Sequence, residues 1–326
     1  VVKEATKNSN FNGKPGRVAV AMSGGVDSSV AALLLAQQGY QALGVSLQVW
    51  DYRQHGGCAS RATCCSPDDF TDARRVAHKI GIPYYVFDFE KLFREEVIDK
   101  FISTYERGET PNPCIDCNAQ VKFGALRDRA SALSCDYVAT GHYARIETDG
   151  ERLKLLRSLD RDKDQTYFLY NLKECELNKT LFPIGQYDKP AVRKIAKEHG
   201  LVTAEKDESQ DICFIQGELS EFLVKIGSRE KPGEIVRVDG TRIGTHPNLT
   251  QLTVGQRKGL KLGGNSHPLY VIKIDAQAQK VVVGTKKEIE KTKFRVSQLN
   301  WIYPEYREIV DCLVQVRHRA QALPAR

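Results

Sequence analysis

The run RVAVAMSGGVDSSVAALLLAQQGY, from Arg17 to Tyr40, constrains the fold more than any other stretch. RVAVAM is a short apolar strand, SGG is a turn, and SSVAALLLAQQG is a helix closed by Gly39. A glycine-rich turn between strand and helix is where α/β sheets bind phosphate. The helix start leaves backbone N–H groups unpaired and carries the positive end of the helix dipole. This turn is not a Walker loop, which needs GxxxxGK[ST], because it holds no lysine. Gly24 and Gly25 let backbone amides approach an anion closely, and Ser23, Ser28 and Ser29 add hydroxyls. Asp27 is the odd member. A carboxylate beside phosphate repels it unless a cation lies between them, which implies Mg²⁺ bridging Asp27 and the phosphates.

The same alternation continues downstream. ALGVSLQVW is a second strand, and SPDDFTDARRVAHKIG is a helix with Ser66 as N-cap, Pro67 in the first position and Gly81 as C-cap. IPYYVFDF is a third strand, a helix follows from about Glu90 to Glu106, and CDYVATGHYARI is another strand. This predicts an α/β domain, a parallel sheet with helices on both faces and its site at the carboxyl ends of the strands. The rhythm stops near Gly200. GEIVRVDGTRIG, LTVGQRKGLKLGG, LYVIKID and KVVVGT read as short strands of a small β-rich region, and FRVSQLNWIY and DCLVQVRHRAQ as further strands. The expected division is a flexible lead over residues 1–16, an α/β catalytic domain over 17–215, a central β-rich domain over 216–286 and a C-terminal β part over 287–326.

No apolar run approaches the ~18 residues of a membrane span. The N-terminal VVKEATKNSNFNGKPG is polar and lacks the apolar core of a secretory signal. Nine cysteines in such a chain argue for the reducing cytoplasm and against a disulfide scaffold. The net charge of +7 is unevenly spread. Of the 48 Lys and Arg, 14 lie from Gln251 onward, against 6 of the 41 Asp and Glu, leaving 34 against 35 before it. A basic C-terminal end fits either a polyanion contact or an ordinary solvated face.

Among the cysteines, TPNPCIDCNAQVKFGAL puts Cys114 and Cys117 in a C-x-x-C on a loop ahead of a helix, and ESQDICFI puts Cys213 in an apolar run. C-x-x-C alone fits a redox pair, half a zinc site or cluster ligands. Cys58, Cys64 and Cys65 show no second C-x-x-C rhythm, and Cys135, Cys175 and Cys312 read as structural or neutral.

SGGVDSS, TPNPCIDCN, ATGHYARI, DKDQTYFL, DESQDICFI, PGEIVRVDG and LTVGQRKGL occur in this order. SGGVDSS resembles the PP-loop of the ATP pyrophosphatases. The whole set resembles the bacterial tRNA 2-thiouridine synthetase family, MnmA, and its organellar relatives, from about Arg17 to the C-terminus. The resemblance implies a PP-loop domain, a small central domain and a C-terminal β-barrel-like domain. The implied activity is ATP-dependent 2-thiolation of the wobble uridine of tRNA. The C2 oxygen is adenylated with release of pyrophosphate, and sulfur then displaces AMP. ATP would be held by Ala21, Met22, Ser23, Gly24, Gly25, Val26, Asp27 and Ser28, with Leu47 and Gly141. Cys117 matches the catalytic nucleophile and Cys213 the persulfide carrier. Asn112, Pro113 and Cys114 match the segment beside the target base. His142, Lys163, Asp164, Gln165, Arg317 and His318 match tRNA-contacting positions. The implied partners are tRNA and a sulfur-relay persulfide donor, with the chain acting as a monomer.

Two departures stand out. Cys114 falls where many members of the family have Asp. Three thiols, Cys114, Cys117 and Cys213, could hold a 4Fe–4S cluster that activates sulfide. The alternative is a persulfide on Cys213 released through a Cys117–Cys213 disulfide, which is the conventional family reading. The chain also stops at LPAR, inside the region where the resemblance implies a barrel. Three other classes compete: a PP-loop sulfurtransferase making 4-thiouridine or 2-thiocytidine, a PP-loop GMP or NAD synthetase, and a non-catalytic tRNA-binding protein. TPNPCIDCN has no purpose in the synthetases, and the intact SGGVDS speaks against the binding protein.

Overall fold

The computed structural model describes residues 15–50, 66–150, 152–208, 212–215, 219–225, 231–264, 267–302 and 309–326. Most of the expected N-terminal lead, and Cys58, Cys64 and Cys65, lie outside them.

Five strands form a parallel sheet: β1 (Arg17–Ala21), β2 (Gln41–Gln48), β3 (Tyr84–Asp88), β4 (Tyr137–Thr140) and, further on, β7 (Thr180–Leu181). Their order is β3-β2-β1-β4-β7, so the direction of winding reverses between β1 and β4. Side chains alternate across each strand. Val18 and Val20 join a core with α1 (Val26–Gln37), α2 (Pro67–Ile80) and the helix Lys189–Glu198. Ala19, with Leu43, Val45 and Leu47, joins a second core on the other face, with Phe93, Val97, Phe101, Val121 and Leu126. Each large apolar side chain buried this way contributes about 1.5–3 kcal/mol, so the alternation fixes the register. α2 starts as expected. Ser66 and Asp69 form a reciprocal capping box, Pro67 opens the helix, and Gly81 ends it at φ +75°.

The Glu90–Glu106 helix is continuous but π-wound over Arg94–Ile98. The C-x-x-C differs from its expected place. The helix already starts at Pro113, so Cys114 and Cys117 lie within it, and it is π-wound from Cys117 to Ala125 before continuing as Leu126–Ala132. Pro113 supplies the fixed φ that a first helical position favours.

CDYVATGHYARI is not one strand. β4 stops at Thr140, and the chain turns through Gly141, where an added Cβ would lie 2.6 Å from the Ser28 backbone nitrogen. β5 (Ala144–Asp149) then pairs antiparallel with β6 (Arg152–Arg157) as a separate hairpin. A second sheet, in the order β10-β11-β8-β9, comprises β8 (Gly233–Arg237), β9 (Arg242–His246), β10 (Tyr270–Asp275) and β11 (Lys280–Gly284). It has its own core around Ile235, Val271, Val281 and Val283. LTVGQRKGLKLGG is not a strand. Gly255, Gly259, Lys261 and Gly264 all take positive φ, which breaks any extended run. FRVSQLN is likewise not a strand: it has no strand pairing among the described residues, and Phe294, Val296 and Leu299 are exposed. The C-terminal residues contribute β12 (Cys312–Val314) and β13 (Leu323–Ala325), an antiparallel pair. Among the described residues no helix is long and apolar enough to cross a membrane.

Candidate functional site

In an open parallel sheet the crevice lies where the winding reverses, beyond the carboxyl ends of the strands on either side. Here those are β1 and β4, and SGG follows β1 while Gly141 follows β4. The SGG turn is braced from inside. The Ser23 N–H donates to Ser28 Oγ at 3.1 Å, Ser28 Oγ donates to the Gly25 carbonyl at 3.2 Å, and Ser29 Oγ donates to the same carbonyl at 2.8 Å. The Ser28 and Ser29 hydroxyls, expected to face an anion, are thus spent on the turn, and the Ser23 side chain stays exposed. Gly24 takes φ +71°, and a Cβ there would sit 2.4 Å from the Asp69 carbonyl oxygen. Gly25 is the N-cap of α1, with no side-chain cap on the free amides. Met22, Val26 and Leu47 are buried in the cores, and Ala21 is half-buried against the second core.

Asp27 lies in the first turn of α1. A cation faces it as a side chain: Lys189 Nζ stands 2.8 Å from Oδ1 and 2.9 Å from Oδ2, and the Tyr143 hydroxyl donates to Oδ1 at 3.0 Å. Burial first, and then the Asp27 charge, push the Tyr143 phenol far above its usual range, so it stays protonated and donating. Lys189 also meets Glu208 at 3.1 Å, and Glu208 takes Lys163 at 2.7 Å. Burial alone would raise the Glu208 pKa, but hydrogen bonds from Lys163 and Lys189 outweigh it and hold the carboxyl below its ordinary value. Lys189, Tyr143 and Glu208 were not singled out from sequence. The last two sit inside ATGHYARI and DESQDICFI, whereas Lys189, in DKPAVRK, gives no local signal.

Cys117 and Cys213, far apart in sequence, pack against the same core, the one that Ala21 also touches at the end of β1. Cys213 sits in a turn beside the buried Phe214, whose ring lies 5.5 Å from each of Phe93, Phe101 and Phe222. Asn112, Pro113 and Cys114 form the start of the Cys117 helix. Among the described residues no three His, Cys, Asp or Glu are grouped to hold a single metal ion, and these thiols are among those residues. Both oxygens of Asp27 face Lys189.

The residues expected to meet tRNA divide into two sets. His142 is 8% exposed, packed near Phe123 and Phe182, with Nδ1 2.7 Å from Thr140 Oγ1. In this conformation it is a satisfied buried histidine. Gln165 braces the turn after β4, accepting from the Tyr143 N–H at 2.9 Å, and Asp164 accepts from the Ser158 N–H at 2.9 Å. Arg317 and His318 are exposed. The His318 ring lies 4.5 Å from the Phe168 ring at a tilt of 51°, and Arg317 donates to the Val254 carbonyl. The C-terminal segment therefore docks beside the Lys163–Gln165 turn, a juxtaposition with no sequence signal.

Burial, then the Lys122 charge, lowers the His142 pKa well below its usual value. Unfolded, it would take a proton near pH ~6.5; folded, it resists. Stability attributable to this group is therefore intact above about pH 6.5 and lost as pH falls from there towards the depressed folded pKa. A melting series from pH 8 to 5.5 is expected to show this fall, and His142→Asn is expected to flatten it. An unchanged slope in the variant would refute the assignment.

Residues 16–217 match the model of the tRNA methyl transferase HUP domain, and residues 220–285 that of the tRNA methyl transferase PRC-barrel domain. The chain is thus of the class that joins a HUP α/β domain to a PRC barrel. Proteins named tRNA-specific 2-thiouridylase MnmA are similar over nearly all of it. That of Geobacter metallireducens is 45% identical over 313 residues, 94% of this chain and 85% of the relative. That of Chloroflexus aurantiacus is 46% identical over 313 residues, 95% of this chain and 86% of the relative. That of Leptospira interrogans is 45% identical over 308 residues, 93% and 82% of the two chains. The chain belongs to the tRNA-specific 2-thiouridylase (MnmA) family.

Proposed function

We propose that the protein is an ATP-dependent sulfurtransferase that converts the wobble uridine of tRNA to 2-thiouridine. The observation that supports this reading is the packing of Cys117 and Cys213, far apart in sequence, against one core, against which Ala21 at the end of β1 also packs. ATP would lie with its β,γ-pyrophosphate on the amides of Gly24, Gly25 and Val26 and its α-phosphate towards the thiols. Mg²⁺, if carried in by the phosphates, would add charge neutralisation, and no step depends on it here.

The C2 oxygen of uracil is a poor leaving group. Its attack on the α-phosphate releases pyrophosphate and leaves AMP on the oxygen. The terminal sulfur of a Cys213 persulfide then attacks C2, and AMP departs with the oxygen. The Cys117 thiolate attacks Cys213 Sγ, breaking the S–S bond so that the outer sulfur stays on C2. The resulting Cys117–Cys213 disulfide takes two electrons from a thiol reductant, and a persulfide donor protein reloads Cys213. The anticodon base would be flipped out beside Asn112, Pro113 and Cys114, as suits a base read from a single-stranded loop. The exposed Arg317 and His318 would meet tRNA phosphates, and binding would weaken as salt rises. Domains over 17–215, 216–286 and 287–326, acting as a monomer on one tRNA, complete the reading, and the separate core of the second sheet supports the first boundary.

The test is nucleoside mass spectrometry on tRNA incubated with the protein, ATP, a reductant and a persulfide donor. The expected product is 2-thiouridine at the wobble position, with one pyrophosphate released per product. 4-Thiouridine or 2-thiocytidine would move the reaction to another base. No tRNA-dependent pyrophosphate release would leave only a binding protein.

A further inference from the structure

A lysine at the first position of a helix faces the positive end of its dipole, an unfavourable place for a cation. Lys189 occupies that position in the helix Lys189–Glu198, and its side chain is only 9% exposed. An ammonium has three N–H donors, and three carboxylate oxygens surround this one: Asp27 Oδ1 at 2.8 Å, Asp27 Oδ2 at 2.9 Å and Glu208 Oε1 at 3.1 Å. Glu208 Oε2 faces Lys163 at 2.7 Å, and Arg193 stands 3.8 Å from Oε1. One buried ammonium thus ties the glycine turn to Glu208. Glu208 lies five residues before Cys213 in the chain. On the other side of the thiol, Phe214 is held by three aromatic rings. Two neighbours of Cys213 in the chain are thus held, Glu208 by charge and Phe214 by apolar packing, and residues 209–211 between Glu208 and Cys213 lie outside the described residues.

We infer that Lys189 and Glu208 are positioning residues for the sulfur-transfer half of the reaction, holding the Cys213 segment in register with the nucleotide turn through Asp27. The inference rests on the proposed thiol relay. Neither residue touches a reacting atom; each acts by fixing where the Cys213 sulfur stands relative to a nucleotide on the turn. Reactions of this kind depend on position, and a misplacement of about 1 Å can cost about a hundredfold in rate.

The test uses the whole protein with Glu208→Gln, which keeps the shape and removes the charge, and Glu208→Asp, which keeps the charge. Glu208→Gln is expected to retain ATP binding and tRNA-dependent pyrophosphate release while 2-thiouridine formation falls roughly ten- to a hundredfold. The alkylation rate of Cys213 by iodoacetamide, read by peptide mass spectrometry, is expected to change several-fold, with the exposed Cys175 as internal reference. Glu208→Asp is expected to recover part of both. Equal loss of pyrophosphate release and thiolation, or Cys213 alkylation at the wild-type rate, would overturn the inference. If the wild type makes no 2-thiouridine, the relay fails instead, and the alkylation comparison still reports whether the tie exists.

Discussion

Cys213→Ala is expected to leave tRNA-dependent pyrophosphate release running while 2-thiouridine formation falls by roughly three orders of magnitude or more. The two steps separate because adenylation needs the glycine turn and the base, whereas sulfur must arrive on a thiol. Cys213 is half-buried, and its neighbour Phe214 anchors the segment, so losing one sulfur atom leaves the packing in place. The adenylated uridine then meets only water, and hydrolysis returns uridine and AMP. A quenched reaction is expected to show ATP consumed without thiolated product. The exposed Cys175, changed to alanine, serves as the control with no effect on either step. Thiolation by Cys213→Ala within about tenfold of wild type would remove Cys213 from the mechanism, since loss of a true nucleophile costs far more.

Gly24→Ala is expected to cost ATP affinity roughly a hundredfold or more, a loss of about 3 kcal/mol. Two penalties add. The backbone there takes φ +71°, which an L side chain enters at about 1–2 kcal/mol. The new Cβ would also lie 2.4 Å from the Asp69 carbonyl oxygen and 2.7 Å from its Cα, so backbone must move against backbone. Such overpacking costs about 1–3 kcal/mol, and relief comes by displacing the turn whose amides are to hold phosphate. Gly81→Ala is the matched control. Its φ is +75° with nothing within 4 Å of an added Cβ, so it keeps the first penalty and lacks the second. Calorimetric titration of ATP into both variants distinguishes them. Equal affinities would mean that contact with α2 does not shape the turn.

The α/β sheet and its first two helices were legible because their signals are local: apolar alternation in RVAVAM, the Ser66 cap, Gly81 at a left-handed turn. Cys117 and Cys213 were legible as residues, and their shared core was not, because it arises from packing two distant segments. Asp27 shows the limit most clearly. Sequence pointed to Mg²⁺ between its carboxylate and the phosphates. The fold also brings Lys189 against it, a residue whose place at a helix start carries no pattern to be read. ATGHYARI misled because a turn at glycine inside an apolar run looks like a continuing strand; the break comes from the close approach of α1 to Gly141. LTVGQRKGLKLGG misled because its spacing resembles β structure while its backbone takes left-handed turns.

The π-wound stretch begins at Cys117 itself and ends at Ala125. A wider turn holds an additional residue, so the helix beyond it is out of phase with the helix before it. In an ordinary α-helix each residue advances the face by about 100°. Straightening this stretch to α geometry at its present length would turn everything after it by about 100°, taking Leu126 and Ala130 away from the core they now fill. Removing one residue together with that straightening would bring them back. The widened winding is therefore what lets Cys117 before it and the core residues after it each keep their own outlook. A one-residue deletion between Asn118 and Ala125 should be better tolerated than a one-residue insertion.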